Sequence, residues 1–215
     1  MGPLRPSGPT GFPRRESGRI RTTVLLAAEL KRKAIHLASL VIPVGYYVSP
    51  PSWFIWWERG LLSLVILSLA VEVFRLNHPR TRYIFRHFFG ELLRNHEEAT
   101  LLGSTYLLIA CLLTIHLFPK PVAVLALLFL ILGDTMAAIV GKSIGKRRFF
   151  GKTIEGSLAC FAVCYGLTAV MPGIPFPVGL VGALVATVFE LLPIPLDDNF
   201  RIPLSAGFAM ELLLR

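Results

Sequence analysis

Seven apolar runs follow one another along the chain, at about 34–49, 60–76, 100–118, 121–141, 155–172, 176–193 and 202–214, with polar stretches between most of them. A helix crossing the hydrocarbon core of a bilayer needs about 20 apolar residues, within a range of about 17–25. The third and fourth runs reach that length easily. The first and last are short and fit a tilted, re-entrant or half-crossing helix as well as a full one. The pattern predicts an all-α fold, a polytopic transmembrane helical bundle with about seven membrane helices. Residues 1–23 break it: they are rich in Pro, Gly and Arg and carry no apolar periodicity, which reads as a disordered basic tail. They also lack the apolar core and small-residue cleavage site of a secretory signal. One transmembrane domain over 24–215 is expected to follow.

Composition agrees with the pattern. Of 215 residues, 54% are apolar and 16% charged, against about 25% charged in an ordinary soluble domain. A water-soluble chain of this size would have too little interior to hide that much apolar surface. The net charge of +9 would suit nucleic acid, anionic lipid or phosphorylated small molecules. Because the basic residues are confined to short segments between apolar runs, nucleic acid is the poorest of these partners. Arg5, Arg14, Arg15, Arg19, Arg21, Lys31, Arg32 and Lys33 precede the first run, Arg75 to Arg94 separate the second from the third, and Lys142 to Lys152 separate the fourth from the fifth. Lys and Arg mark the cytoplasmic side. Alternating crossings then put all three segments there, together with the Asp197-Asp198-Asn199 loop. Cys111, Cys160 and Cys164 lie inside apolar runs without metal-ligand spacing and read as packing residues.

Three polar clusters carry the candidate chemistry. The first is GDTMAAIVGKSIGKRRFFGKTIEGS over 133–157. Asp134 interrupts an otherwise apolar span at a cost of up to about 2.5–3.5 kcal/mol, a default marker of function inside a membrane. On a helix it shares a face with Ala138, Gly141 and Gly145, so another backbone or a ligand can come close. Lys142, Lys146, Arg147, Arg148 and Lys152 follow, interleaved with Gly145 and Gly151, a mixture suited to a phosphate-wrapping loop. It is not a Walker A loop: five residues rather than four separate Gly145 from Gly151, and no strand precedes it. The second cluster is LPIPLDDNFRIPLSAG over 192–207, where Asp197, Asp198 and Asn199 offer hard oxygen ligands of the kind Mg²⁺ takes when it binds substrate phosphates. A plain polar turn is the alternative. The third is AELKRKAIHLASL over 28–40; if helical, Glu29, Arg32, Lys33 and His36 share a face and Lys31 points away. That face suits phosphate contacts or simple lipid-headgroup binding. Glu72 and Arg75 read as a local pair, and His96-Glu97-Glu98 lacks the spacing of a zinc protease.

Together the clusters resemble the membrane family of CTP-dependent lipid kinases, which includes dolichol kinase, phytol kinase and CTP-dependent diacylglycerol kinase and is related to phosphatidate cytidylyltransferase. The resemblance is carried by ELKRKAIH at 29–36, HEEATLLGSTYLL at 96–108, GDTMAAIVGKSIGK and GKTIEGS within 133–157, and LDDNFRIPLSAG at 196–207. It implies transfer of the CTP γ-phosphate to a lipid alcohol (polyprenol, phytol or diacylglycerol) with Mg²⁺, from the cytoplasmic side of the membrane. It further implies that Asp134 is the central acidic residue, that Arg32, Lys33, Gly141, Gly145, Lys146 and Lys152 hold nucleotide and phosphates, and that Glu155 orients Lys152 or the metal. Asp197, Asp198 and Asn199 would complete the metal site with Asp134. A cytidylyltransferase making CDP-diacylglycerol is the alternative within the resemblance, although its His-Gly-Gly and Asp-Arg signature is missing from LDDNFRIPL. A small ion-coupled transporter built on Asp134 is the alternative outside it.

Overall fold

The structure, a computed structural model, describes residues 31–90, 93 and 97–215. The tail expected over 1–23, and with it Glu29 and His96, lies outside the described residues.

Every apolar run is helical where it is described. The chain is helical at 31–38 (α1), turns at 39–40, and continues as α2 (Val41–Val48). A 3₁₀ turn at Pro51–Trp53 leads into α3 (Phe54–Asn77). Pro79 then opens a new helix, α4 (Pro79–Phe89), as proline does at a first helical position. Next come α5 (Gly103–Leu117) and α6 (Lys120–Leu128), which passes through a π turn (Phe129–Gly133) directly into α7 (Asp134–Ser143). After a short hairpin come α8 (Ile154–Val170), α9 (Phe176–Leu191) and α10 (Asp198–Leu214).

Two elements depart from the sequence expectation. The Lys/Arg stretch after α7 is not a simple loop but an antiparallel hairpin of β1 (Arg148–Phe149) and β2 (Lys152–Thr153), with Arg148 opposite Thr153. Its turn places Phe150 and Gly151 at φ 49° and 83°; two positive φ values in succession suit the twist of a tight hairpin, and glycine adopts one of them freely. The other is α4, PRTRYIFRHFF, in which arginines alternate with aromatics and so leave no continuous apolar run to find.

The centre of the molecule is the α6–π–α7 rod. Val122 to Leu127, Phe129, Leu130 and Ile131 are all buried, so this helix is apolar on every side because it is enclosed on every side. The elements packed around it are α2, α5, α8, α9 and α10. Helix α3 packs on α5 at the edge, burying Leu61, Val65, Glu72 and Arg75 along one stripe and baring Leu62, Ile66, Leu67 and Val73. Among the described residues two helical stretches are long and apolar enough to cross a membrane, Pro51–Asn77 and Lys120–Ser143. The shorter apolar helices are α5, α8 and α9.

Polar side chains separate to the two ends of this bundle. At one end, Lys120 Nζ donates to the Ser49 carbonyl at 2.5 Å and His116 meets Glu58 at 2.5 Å. At the other end lie the start of α1, the end of α3, residues 97–105, the start of α7, the hairpin and the α9–α10 connection. All three clusters singled out from the sequence are at this second end.

Candidate active site

Asp134 owes its position to the π turn before it. Such turns insert one residue into a helix and recur at functional sites. Gly133 makes the packing of this one feasible, because a Cβ there would lie 2.9 Å from Cys164 Sγ and 3.0 Å from Cys160 Sγ. The two cysteines are buried and free, and they serve as packing against Gly133. The Asp134 carboxylate is ion-paired with the Lys33 ammonium, which also donates to the Asp134 carbonyl at 3.3 Å. His36 Nε2 lies 3.8 Å from the same carboxylate, buried and without a hydrogen-bond partner. Helix α1 thus turns Lys33 and His36 inward and leaves Lys31 exposed, as the helical spacing requires.

Lys152 is the hub of a second network. Its ammonium meets Asp198 Oδ2 at 2.8 Å and Glu190 Oε1 at 2.9 Å. Ser157 Oγ donates to Glu190 at 3.0 Å, and the Arg201 guanidinium pairs with Asp198 while donating to the Leu192 carbonyl at 2.7 Å. Burial works against the charged form of Lys152, but Asp198 and Glu190 more than offset it and hold its pKa above the ordinary lysine value. Lys152 also acts electrostatically on Asp134, so the two networks are neighbours.

A third network frames the segment 97–105. Glu72 and Arg75, 1% and 2% exposed, bond to each other at 2.7 Å. Arg75 donates to the Glu97 carbonyl at 2.8 Å and the Thr100 carbonyl at 2.6 Å, while Glu72 accepts from Leu102 N at 2.6 Å and Thr105 Oγ1 at 3.0 Å. The pair expected from sequence is therefore a buried brace. It holds Glu97, whose Oε1 accepts from Gly103 N at 3.0 Å, and Gly103, whose carbonyl accepts from Asn199 Nδ2 at 3.1 Å.

One cavity of about 520 Å³ joins these parts. Its polar end carries Arg32, Lys33, His36, Asp134, Glu97 and Asn199; its other walls are apolar side chains of α3, α4 and α5. That size is typical of a small-ligand site. Of the site residues expected from the sequence, Arg32, Lys33, Asp134 and Asn199 line this cavity. The remaining expected site residues do not line it. Gly141 and Gly145 are used in helix packing: a Cβ on Gly141 would come within 2.5 Å of Thr153 Oγ1, and one on Gly145 would overlap the Gly141 carbonyl. Lys146 is exposed on the connection to the hairpin. Glu155 accepts from Arg147 N at 3.3 Å and so braces the hairpin, while Glu190 and Asp198 orient Lys152 in its place. Asp197 Oδ1 caps α10 by accepting from Asn199 N at 2.9 Å.

Glu190, Arg201 and Glu97 were missed. Glu190 gave the same signal as Asp134, an acidic residue closing an apolar helix (VFELLP). Among the described residues no three His, Cys, Asp or Glu side chains lie close enough to hold a metal unaided. Magnesium at phosphate-transfer sites commonly takes only one or two carboxylates and completes its shell with substrate oxygens and water. Asp134, Glu97 and Asn199 all line the cavity, so one or two carboxylates of the kind that requirement names are present there.

Comparison with known proteins decides the class. The chain is 28% identical to the CTP-dependent diacylglycerol kinase 1 of Schizosaccharomyces pombe over 86% of its own length and 94% of that protein. It is 25% identical to the phytol kinase of Synechocystis over 85% of its length and 78% of that protein. A dolichol kinase of Schizosaccharomyces pombe is 28% identical over 87% of the chain, which spans 40% of that longer protein. Over most of its length the chain is similar to CTP-dependent lipid kinases. It is a phosphotransferase, and the lipid kinase reading stands ahead of the cytidylyltransferase and the transporter. No family model matches the chain, and no solved structure matches it.

Proposed function

We propose that the protein is a membrane-embedded kinase that transfers the γ-phosphate of CTP to the hydroxyl of a lipid alcohol at the Asp134 end of the cavity. The observation that carries this reading is the cavity itself, in which cations and carboxylates share one space with an apolar wall. A nucleotide triphosphate needs the first and a lipid alcohol needs both.

Phosphoryl transfer asks a protein mainly for positioning and charge neutralisation. The acceptor hydroxyl sits between Asp134 and His36 Nε2, whose buried nitrogen gains there the partner it lacks. Its oxygen forms a bond to the γ-phosphorus as the bond from that phosphorus to the β–γ bridging oxygen breaks; CDP leaves, and the hydroxyl proton passes to the Asp134 carboxylate. Lys33 and Arg32 face the phosphates, and Lys33 exchanges its contact with Asp134 for one with phosphate. Lys152, fixed by Glu190 and Asp198, contributes positive potential from behind. Asp134, Glu97 and Asn199 would hold Mg²⁺, which when bound neutralises phosphate oxygens. Asp197 and Asp198 act in this scheme by setting Asn199 and Lys152. Gly141, Gly145 and Glu155 act by holding α7, the hairpin and α8 together, and Lys146 adds cationic potential at the mouth.

The chain fits the bilayer as seven crossings, with α1–α2 as the first, α3, α5 and α6–α7 as the next three, and α8 to α10 as the last three. The gathering of the polar clusters at one end supports this alternation, and the basic segments put that end in the cytoplasm. The catalytic domain then runs over 24–215. The test uses purified protein in lipid nanodiscs with CTP labelled at either phosphate and a panel of diacylglycerol, phytol and polyprenol. The reading requires γ-label on at least one lipid. Transfer of α-label would make the protein a cytidylyltransferase, and transfer of neither would overturn the kinase.

A further inference from the structure

Part of the cavity wall is formed by residues that are also exposed on the outside of the molecule. Leu64, Leu67 and Val71 of α3 line the cavity and remain 48%, 62% and 40% exposed. Ile35 of α1, also a lining residue, is exposed across from them. A side chain can be both only where the cavity opens, so its opening runs along α3 beside α1. This opening is on the side of the molecule, distinct from the polar end that carries Arg32, Lys33 and Asp134.

Helix α3 lies within one of the two stretches able to cross a bilayer, and it is the less enclosed of them: 22% of its apolar window is buried, against 67% for Lys120–Ser143. The medium at the opening is therefore hydrocarbon. The one polar pair in this wall is already satisfied, since Ser68 Oγ and Thr105 Oγ1 are 2.7 Å apart and Thr105 also donates to Glu72. Along α3 and the middle of α5 the wall then offers a ligand mainly apolar contact, from Leu64, Leu67 and Val71 to Leu107 and Leu108. Phe85 and Phe89 of α4 cover it from the polar side, with the Arg75 guanidinium 5.6 Å from the Phe85 ring centre fixing that cover to α3.

We propose that the groove between α3 and α5 is the binding site for the hydrocarbon chain of the acceptor, and that the acceptor arrives sideways from the bilayer between α1 and α3. This inference rests on the kinase reading for the identity of the occupant. A cavity of about 520 Å³ accommodates a polar head and the first part of a chain but not a whole membrane lipid, so the rest of the chain leaves along the bare face of α3. Chain length is then read weakly, and the hydroxyl end strongly, by Asp134 and His36. Two substrates come from two directions: the nucleotide from the basic end and the lipid from the side.

The experiment uses the full chain in nanodiscs and a long-chain primary alcohol carrying a diazirine in its chain. Photolabelling is expected on residues 64–71 and 107–108, competed by unlabelled long-chain alcohol. Leu67→Trp is expected to raise KM for a long-chain acceptor about tenfold while KM for CTP and the rate on a short-chain soluble acceptor stay unchanged. Leu212→Trp, a change at a still more exposed apolar position on α10, is expected to leave all three unchanged. Labelling confined to other helices, or an equal loss of activity on long and short acceptors, overturns the site. Photolabelling does not require turnover: absence of phosphorylated lipid with labelling at 64–71 overturns the kinase reading and leaves the lipid groove standing.

Discussion

Lys152→Met removes the one cation that separates two carboxylates. Glu190 Oε1 and Asp198 Oδ2 lie 2.9 and 2.8 Å from the lysine nitrogen, and two unit charges about 5 Å apart repel by about 3 kcal/mol at an effective dielectric constant of about 20. Arg201 still pairs with Asp198 and relieves part of this. Breaking a buried pair by removing one partner costs about 3–5 kcal/mol, and the Lys152 side chain is 29% exposed, which brings the expected loss to roughly 2–3 kcal/mol once solvent screening is allowed for. The buried thiols of Cys111, Cys160 and Cys164 provide the assay: a thiol-reactive dye reports unfolding on heating. The midpoint should fall by about 4–10 °C, and lipid phosphorylation should fall with it. The double variant Lys152→Met/Glu190→Gln leaves Asp198 and Arg201 as a neutral pair. It should recover most of the midpoint while staying impaired in turnover, because the positive potential behind Asp134 is still gone. A single variant that melts like the wild type, or a double variant with full turnover, would refute the reasoning.

Three shorter predictions follow from the same geometry. Arg75→Ala leaves Glu72 unpaired and takes donors from the Glu97 and Thr100 carbonyls; it should destabilise the protein by about 3–5 kcal/mol in the same thermal assay, and Arg75→Lys should restore little because the forked geometry is lost. Gly156→Ala places a methyl 2.7 Å from the Ala137 carbonyl and 2.8 Å from Thr153 Oγ1, so α7 and α8 must separate; a lower midpoint and a raised KM for CTP are expected, and an unchanged protein would show that the seam can yield. Ser143→Cys, exposed at the end of α7, should resist impermeant thiol reagents in intact cells and react once the membrane is opened; ready labelling in intact cells would reverse the topology.

The helices were legible in the sequence because the apolar runs that form them are set apart by polar stretches, and α6 most clearly because burial on all sides left it no polar face. Asp134 stood out for the converse reason, as a carboxylate inside such a run, and Lys33 and His36 followed from helical spacing on α1. Helix α4 was hidden because its apolar residues are spaced between arginines. The hairpin was hidden because it is two residues per strand, below any periodicity. Glu190 and Glu97 were missed for want of partners: the sequence shows an acidic residue, and only the fold brings Lys152 to the one and Gly103 to the other. The Gly141 and Gly145 spacing was seen, but a close packing contact and a phosphate loop demand the same small residues, and only the fold shows Thr153 packed against both positions.

Asp134 is the group proposed to receive the acceptor hydroxyl. Asp134→Asn keeps the side-chain shape and lessens the cost of insertion, so the variant should insert and should keep its thiols protected at ambient temperature. Single-turnover transfer of γ-label from CTP to the lipid alcohol that the wild type prefers measures the step directly. Loss of the proton acceptor predicts a rate lower by about 10²–10⁴-fold, with nucleotide still bound through Arg32 and Lys33. A variant that keeps most of the wild-type rate would make Asp134 a packing residue and contradict the site.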